Sequence, residues 1–132
     1  MSANALQKAI YAALSADAAL TALLGEGRIL DRQPVDRHLP HVLFGPWRIE
    51  DWSTGTEAGA EHVFDIEIWT DDNGRRRAAA LADAVRAALH DRALDIEDVR
   101  LVNLRHLRTQ TRRAAASRLH VARLTFRAAI EQ

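Results

Sequence analysis

The sequence predicts an α+β domain, in which a mostly antiparallel sheet of about four or five strands carries N-terminal helices and one long helix on one face. Apolar residues recur at helical spacing near the N-terminus and again over residues 78–89. Residues 63–69 instead alternate with the period of a half-buried strand, with Phe64, Ile66 and Ile68 on one face. Strand-like segments also come in runs on either side of the long helix, which is typical of an antiparallel sheet.

Two short helices are predicted first. Ser2 can cap the first helix, whose apolar stripe consists of Leu6, Ile10, Tyr11 and Leu14. Ser15 or Asp17 can cap the second helix, and Gly25 then stands where a helix commonly ends in a left-handed residue.

Extended segments are predicted next. Residues 28–31 form a short one, and residues 41–45 form a longer one that Pro40 opens. Because Pro46 lacks an N–H group, this strand is expected to bulge there or to lie at an edge of the sheet. Alternation resumes after it and ends before a polar, glycine-containing loop over residues 53–60.

The long helix is predicted over about residues 75–90, after a turn at 71–74. Two more strands are predicted over residues 99–107 and 119–130, with 109–117 forming the tip of a long hairpin. The order of elements is therefore α-α-β-β-β-α-β-β. The side chains expected to form the core are Leu6, Ile10, Leu14, Phe44, Phe64, Ile66, Ile68, Leu81, Val85, Leu89, Leu124 and Phe126.

The length and composition limit the class of protein. With 132 residues, the chain is predicted to form a single domain, residues 1–132. It contains no cysteine, which excludes disulfides, thiol catalysis and cysteine-bound metal centres. No apolar run approaches the ~20 residues that a membrane-spanning helix needs, and the N-terminus lacks the pattern of a signal peptide. A soluble intracellular protein is therefore expected.

The charges are unevenly distributed along the chain. Their formal sum is zero, which argues against a protein that binds nucleic acid through its overall charge. Residues 1–70 nevertheless hold five basic and ten acidic residues, whereas residues 71–132 hold thirteen basic and eight acidic ones. From Arg100 to Arg127 there are eight arginines and no acid. Such a chain can present complementary patches to other copies of itself.

No pattern of catalytic or metal-binding residues stands out. His38 and His41 are three residues apart, without the further ligands that zinc requires. Asp65 and Glu67 share a strand face, about 7 Å apart, but no second acidic strand accompanies them for acid–base catalysis. They fit either a solvated outer face or a stripe that meets arginines of a neighbouring subunit, and we favour the latter over catalysis. The sequence therefore predicts a protein that is not an enzyme and has no metal or cofactor.

Ten residues are candidates for an assembly interface. Tryptophan is enriched at protein interfaces, and clustered arginines suit pairing with carboxylates or phosphates. The loop at 51–60 and the hairpin tip at 109–118 are therefore predicted to be assembly surfaces. The candidates are Trp47, Trp52, Trp69, Thr56, Glu57, Arg75, Arg76, Arg112, Arg113 and Arg118.

Short motifs follow one another in a distinctive order along nearly the whole chain. The central ones are residues 56–62 and 64–70, followed by Gly74 and an alanine-rich helix. The others are Ile29-Leu30-Asp31 with Pro34, Pro40-His41-Val42 ending at Gly45, a last strand at 118–127 and the two opening helices. In this order and spacing they resemble the phage tail-completion family. Residues 107–113 depart from the family pattern, because they lack an acidic residue.

The resemblance implies a tail terminator of a long-tailed phage or a gene transfer agent. Such a protein is a structural virion component at the head–tail junction, assembled in the bacterial cytoplasm. It forms a ring, expected to be hexameric, that stops polymerisation of the tail tube and gives the head connector a surface to dock on. Its expected partners are other copies of itself, the tail tube protein and the connector or stopper protein. DNA would pass through the lumen without sequence-specific binding, and no membrane is involved.

Three other functions stay open. The chain could be a head-completion or connector subunit, a stopper or adaptor, of the same kind of particle. A small hydrolase or metal-dependent enzyme would depend on Asp65 or His41. A free DNA-binding module would use Arg112, Arg113 and Arg118, and its binding would weaken with salt.

Overall fold

The computed structural model describes residues 3–31, 39–51, 55, 58–71, 74–114 and 119–131. In these ranges the helices are α1 (Ala3–Ala16), α2 (Ala18–Leu24) and α3 (Gly74–Leu89). The strands are β1 (Ile29–Leu30), β2 (His41–Asp51), β3 (Gly59–Thr70), β4 (Arg100–Arg113) and β5 (His120–Glu131). This order confirms the predicted one.

The two opening helices form for the reasons that the sequence indicates. Helix α1 buries Leu6, Ile10 and Leu14 on one stripe. Asp17 caps α2, because its Oδ1 accepts a hydrogen bond from the backbone N–H of Leu20 at 2.8 Å. Gly25 ends α2 with a φ of 91°, a backbone conformation that other residues rarely adopt. The predicted cap at Ser2 lies outside the described residues.

The strands pair into one sheet in the order β1-β2-β3-β5-β4. Among the described strands, the short β1–β2 pair is parallel and the β2–β3, β3–β5 and β4–β5 pairs are antiparallel. The predicted α+β class with a mostly antiparallel sheet is therefore confirmed. Strand β4 lies at one edge of the sheet, and β1 covers only the start of β2 at the other.

The predicted bulge at Pro46 is present in β2. The register of β2 against β3 shifts between Phe44 and Trp47, so Gly45 and Pro46 stand opposite a single residue, Asp65. Gly45 lies close to β3, since a Cβ atom added there would be 3.2 Å from the Cβ atom of Asp65 and from the Oε2 atom of Glu67. A glycine therefore lets the bulge approach the neighbouring strand.

Strand β4 is longer than the sequence suggests. We expected a strand over residues 99–107 and a hairpin tip from 109, but β4 pairs with β5 as far as Arg113, which stands opposite His120. Two register shifts explain the difference, because each one interrupts the alternation that marks a strand. The residues at these shifts, Val102 and Leu107, are exposed apolar side chains. The predicted loop at 53–60 is also shorter, since β3 begins at Gly59.

All twelve predicted core residues are buried, between the helices and one face of the sheet. The rings of Phe64 and Phe126, on adjacent strands, stack at 5.7 Å between centroids. Helix α3 covers this face with Leu81, Val85 and Leu89, all fully buried. In the described part of the chain, no helix is both long and apolar enough to cross a membrane.

Candidate assembly surface

The sheet face away from the helices carries a network of charged and polar side chains that pair with one another within the chain. The β3–β5 register sets Glu67 opposite Arg123 and Asp65 opposite Thr125. An Nη atom of Arg123 donates to Glu67 Oε2 at 2.9 Å, and its Nε atom lies 3.7 Å from Asp65 Oδ2. The Thr125 hydroxyl donates to Asp65 Oδ1 at 2.6 Å. The arginine that meets these carboxylates is therefore the chain's own, which corrects our expectation that a neighbouring subunit supplies it.

Both described tryptophans make contacts inside the chain. The ring of Trp47 stacks on Phe64 at 4.4 Å, and its Nε1 atom donates to His62 Nδ1 at 2.8 Å. Trp69 lies on the charged face, where its Nε1 atom donates to Glu67 Oε1 at 3.2 Å and its ring stacks on His41. Each ring stays half-buried, so their predicted assembly role stays a prediction.

His62 is a structural histidine. Burial is the main cause that lowers its pKa below the ordinary value of 6.5, because the charged form is poorly solvated there. Its Nδ1 atom accepts the proton of Trp47, so the ring is neutral with its own proton on Nε2. In the described residues, no group of three or more histidine and carboxylate side chains is placed to hold a metal ion.

Three of the predicted assembly arginines line a single cleft of about 260 Å³. Arg75 comes from the first turn of α3, whereas Arg112 and Arg113 come from the end of β4. We call these three residues and the space between them the arginine cleft. The residues that complete its lining are Ala78, Thr111, His120 and Val121.

The arginine cleft exists because α3 packs across the sheet near the β4–β5 hairpin. Ala78, one turn beyond Arg75, is buried and allows the helix to approach the sheet closely. The pairing of Arg113 with His120 keeps the end of β4 in place beneath that turn. Residues 37 positions apart in the sequence are thus brought together by tertiary packing.

No ion pair neutralises the arginine cleft within the described residues. Its three arginines are exposed, and none of them contacts a described carboxylate. Other arginines do have such partners, namely Arg48, Arg100, Arg105, Arg123 and Arg127. Arg76 is exposed on α3 but does not line the cleft. Three positive charges around a concave surface favour an anionic group as its occupant.

An acidic turn that we did not single out from the sequence lies at the other end of β4. Asp95, Glu97 and Asp98 are exposed, and none of them forms an ion pair with a described residue. The buried side chain of Ile96 anchors the turn, and Ile96 forms a bridge with Val99. We call residues 95–98 the acidic turn. Three acids within four residues were the available signal, which the sequence analysis treated only as a polar connector.

The arginine cleft and the acidic turn lie at opposite ends of strand β4. Strand β4 begins just after the acidic turn and ends at the cleft. Helix α3 runs the opposite way beside it, and its 16 residues span about 24 Å. One copy of the chain therefore cannot bring its own acidic turn to its own cleft.

Four predicted assembly residues, Trp52, Thr56, Glu57 and Arg118, lie outside the described residues. The predicted assembly loop at 51–60 is therefore described only in part. The 109–118 segment is described as far as Ala114, and Arg112 and Arg113 lie in β4 instead of a hairpin tip.

Comparison with known proteins confirms the resemblance found in the sequence. The family model for tail completion protein gp17 matches residues 8–131. The fold is similar to that of a chain in a solved structure of the virion of a native gene transfer agent (GTA) particle. The two chains have a TM-score of 0.90 and are 40% identical, over 98% of this chain and 97% of that chain. No curated protein matches the chain.

Proposed function

We propose, from the premise that this chain belongs to the tail completion protein gp17 family, that its subunits form a ring at the head-proximal end of a tail tube. As a tail completion protein of a phage or gene transfer agent particle, it is a structural virion protein. The ring, expected to hold six subunits, would stop polymerisation of the tube and join the tail to the head connector.

One observation carries this proposal. The chain is 40% identical to a chain of a gene transfer agent virion over nearly the full length of both. Its partners would then be other copies of itself, the tail tube protein and the connector or stopper protein.

The charged groups of the chain support assembly over catalysis. Asp65 and Glu67, the paired carboxylates that could serve an enzyme, are occupied by Arg123 and Thr125. The exposed charges that form no ion pair with a described residue include those of the arginine cleft and the acidic turn. Two different patches on one subunit are what a ring of identical subunits requires, because each patch meets the other kind on a neighbour.

The proposal can be tested by deleting the gene in cells that produce the particle. Without a terminator, tail tubes should grow to irregular lengths and heads should remain separate from tails. Electron microscopy would show both effects, and adding back the purified chain should restore tubes of uniform length. Matched preparations from the unmodified strain serve as the control.

The same experiment distinguishes the alternative function. A head-completion or connector subunit would leave tubes of normal length in the deletion strain, and only the joining of heads to tails would fail. A map of the intact particle would then place the chain in the connector. Tubes of normal length that join heads normally would contradict both functions.

A further inference from the structure

The arginine cleft holds positive charge that no described carboxylate of its own chain pairs with. Arg75, Arg112 and Arg113 converge on about 260 Å³ of open space, with no described carboxylate in contact with them. Like charges held together repel one another, so this arrangement becomes favourable when an anionic group enters. The cleft is large enough for two carboxylate side chains, each of which an arginine can bind through two parallel hydrogen bonds.

The acidic turn has the complementary property. It presents Asp95, Glu97 and Asp98 to solvent on a short segment that the buried side chain of Ile96 anchors just before β4. Asp98 has a φ of 68°, a left-handed backbone conformation that is typical of a tight turn. Because the segment is short and anchored, little conformational entropy is lost when it docks.

We infer that the arginine cleft of one copy receives the acidic turn of a second copy. The two surfaces lie at opposite ends of β4, so the contact is possible only between copies. Each pair of copies in contact then leaves one cleft and one acidic turn unoccupied. Repetition of such a contact adds further copies, and a suitable rotation at each step closes them into a ring. This inference rests on the proposed ring function, because the partner is another subunit of the same assembly.

A second copy fits the cleft better than duplex DNA does. The chain has no net charge, and the acidic turn, which precedes the other end of β4, would be repelled by phosphates along an extended duplex. An acidic turn from another copy brings no such penalty, since its negative charges enter the cleft directly. DNA binding by the cleft is therefore an outcome that the experiment must be able to detect.

Charge reversal tests the contact in both directions. The first variant carries Arg112→Glu with Arg113→Glu, and the second carries Asp95→Arg with Glu97→Arg. Asp98 is left unchanged because its backbone conformation favours few other residues. A third variant combines all four substitutions. The matched control is Arg77→Glu with Arg86→Glu, two exposed residues of α3 outside the cleft lining. It changes the net charge as much as the first variant does.

Self-association is measured by sedimentation velocity on the purified chains, and tube termination by adding each chain to the deletion strain's tails. Each of the first two variants should associate at least about tenfold more weakly than the unmodified chain, because like charges then face one another. The four-substitution variant should recover association, and so should an equimolar mixture of the first two. The control should stay close to the unmodified chain. Raising the salt concentration should weaken association of the unmodified chain.

The outcomes separate the inference from the proposed function. If the unmodified chain associates and ends tubes, but neither the four-substitution variant nor the mixture recovers association, the inferred charge contact is wrong and the ring function stands. If the unmodified chain does neither, the ring function itself fails. If the first variant associates normally but loses salt-sensitive binding to duplex DNA, the cleft binds phosphate and the inference is overturned. Should the glutamate variant not fold, Arg112→Gln with Arg113→Gln must still weaken association for the inference to hold.

Discussion

Replacement of Arg123 by methionine should destabilise the fold by about 2–3 kcal/mol. Methionine keeps much of the length of the side chain but removes the charge that Glu67 and Asp65 share. These carboxylates would then be left without their counter-charge in a partly dry environment, where removal of one partner is far more harmful than at the surface.

The magnitude follows from the exposure of the three side chains. The side chains of Glu67 and Asp65 are 10% and 16% exposed, and that of Arg123 is 37% exposed. Fully buried pairs lose about 3–5 kcal/mol when one partner is removed, whereas exposed pairs contribute about 0–1 kcal/mol. Because the arginine is partly solvated, the expected loss lies between these limits. For a chain of this length, it corresponds to a fall in Tm of about 7–11 °C.

Urea denaturation, monitored by circular dichroism, measures this loss of stability. The matched control is Arg48→Met, since the ion pair of Arg48 with Glu50 has side chains that are 66% and 61% exposed. That substitution should change the free energy of unfolding by less than about 1 kcal/mol. Adding Glu67→Gln to Arg123→Met should recover part of the loss. Equal effects of the two methionine substitutions, or simple additivity of Arg123→Met with Glu67→Gln, would refute the reasoning.

Three further predictions concern stability. The free energy of unfolding should fall as the pH drops from about 7.5 to about 5.5, because burial lowers the pKa of His62 below 6.5 and only the unfolded chain then binds its proton. His62→Gln should reduce that slope, and an unchanged pH profile of stability would show that another group is responsible. Phe126→Ala should lower the free energy of unfolding by about 3–5 kcal/mol in urea denaturation, since the ring is fully buried. Leu107→Ala, at an exposed register shift, should change the free energy of unfolding by about 0.5 kcal/mol. Similar losses for the two would mean that the assigned burial is wrong. Asp17→Ala should lower stability by about 1 kcal/mol through loss of the α2 cap, and Asp17→Ser, which keeps an acceptor, should retain most of it.

The sequence predicted the elements whose signals are local. Strand β3 and helix α3 each repeat one period over many residues, so their type and buried faces follow from the spacing of apolar side chains. The two ends of α2 were also indicated, by Ser15 or Asp17 at its start and Gly25 at its end, because caps act through the backbone of their immediate neighbours. These predictions needed no knowledge of the rest of the chain.

Strand β4 shows where such signals fail. Its two register shifts place Val102 and Leu107 out of phase, and its side chains are mostly exposed, so no apolar stripe marks its length. The strand exists because its backbone pairs with β5 from Arg100 to Arg113. That pairing depends on a partner strand, which the local pattern does not contain.

The sequence likewise predicted only part of the candidate site. The sequence singled out Arg75, Arg112 and Arg113 by composition, but only the packing of α3 near the β4–β5 hairpin places them around one cleft. The sequence likewise indicated that Asp65 and Glu67 share a face, and left open what meets them. The β3–β5 register decided that, since it sets a residue of the same chain opposite Glu67.

The sequence by itself determined the element order, the core, the family and the separation of acidic from basic segments. These properties are carried by residue type and short-range spacing, and they persist in any arrangement of the chain. The tertiary structure alone decided which of the described charged side chains pair with one another. An ion pair forms only when two side chains come within about 4 Å, and strand register and helix packing, acting between residues far apart in sequence, set that distance. Arg123 is thereby occupied within the chain, whereas the arginines of the cleft and the acids of the acidic turn form no ion pair with a described residue.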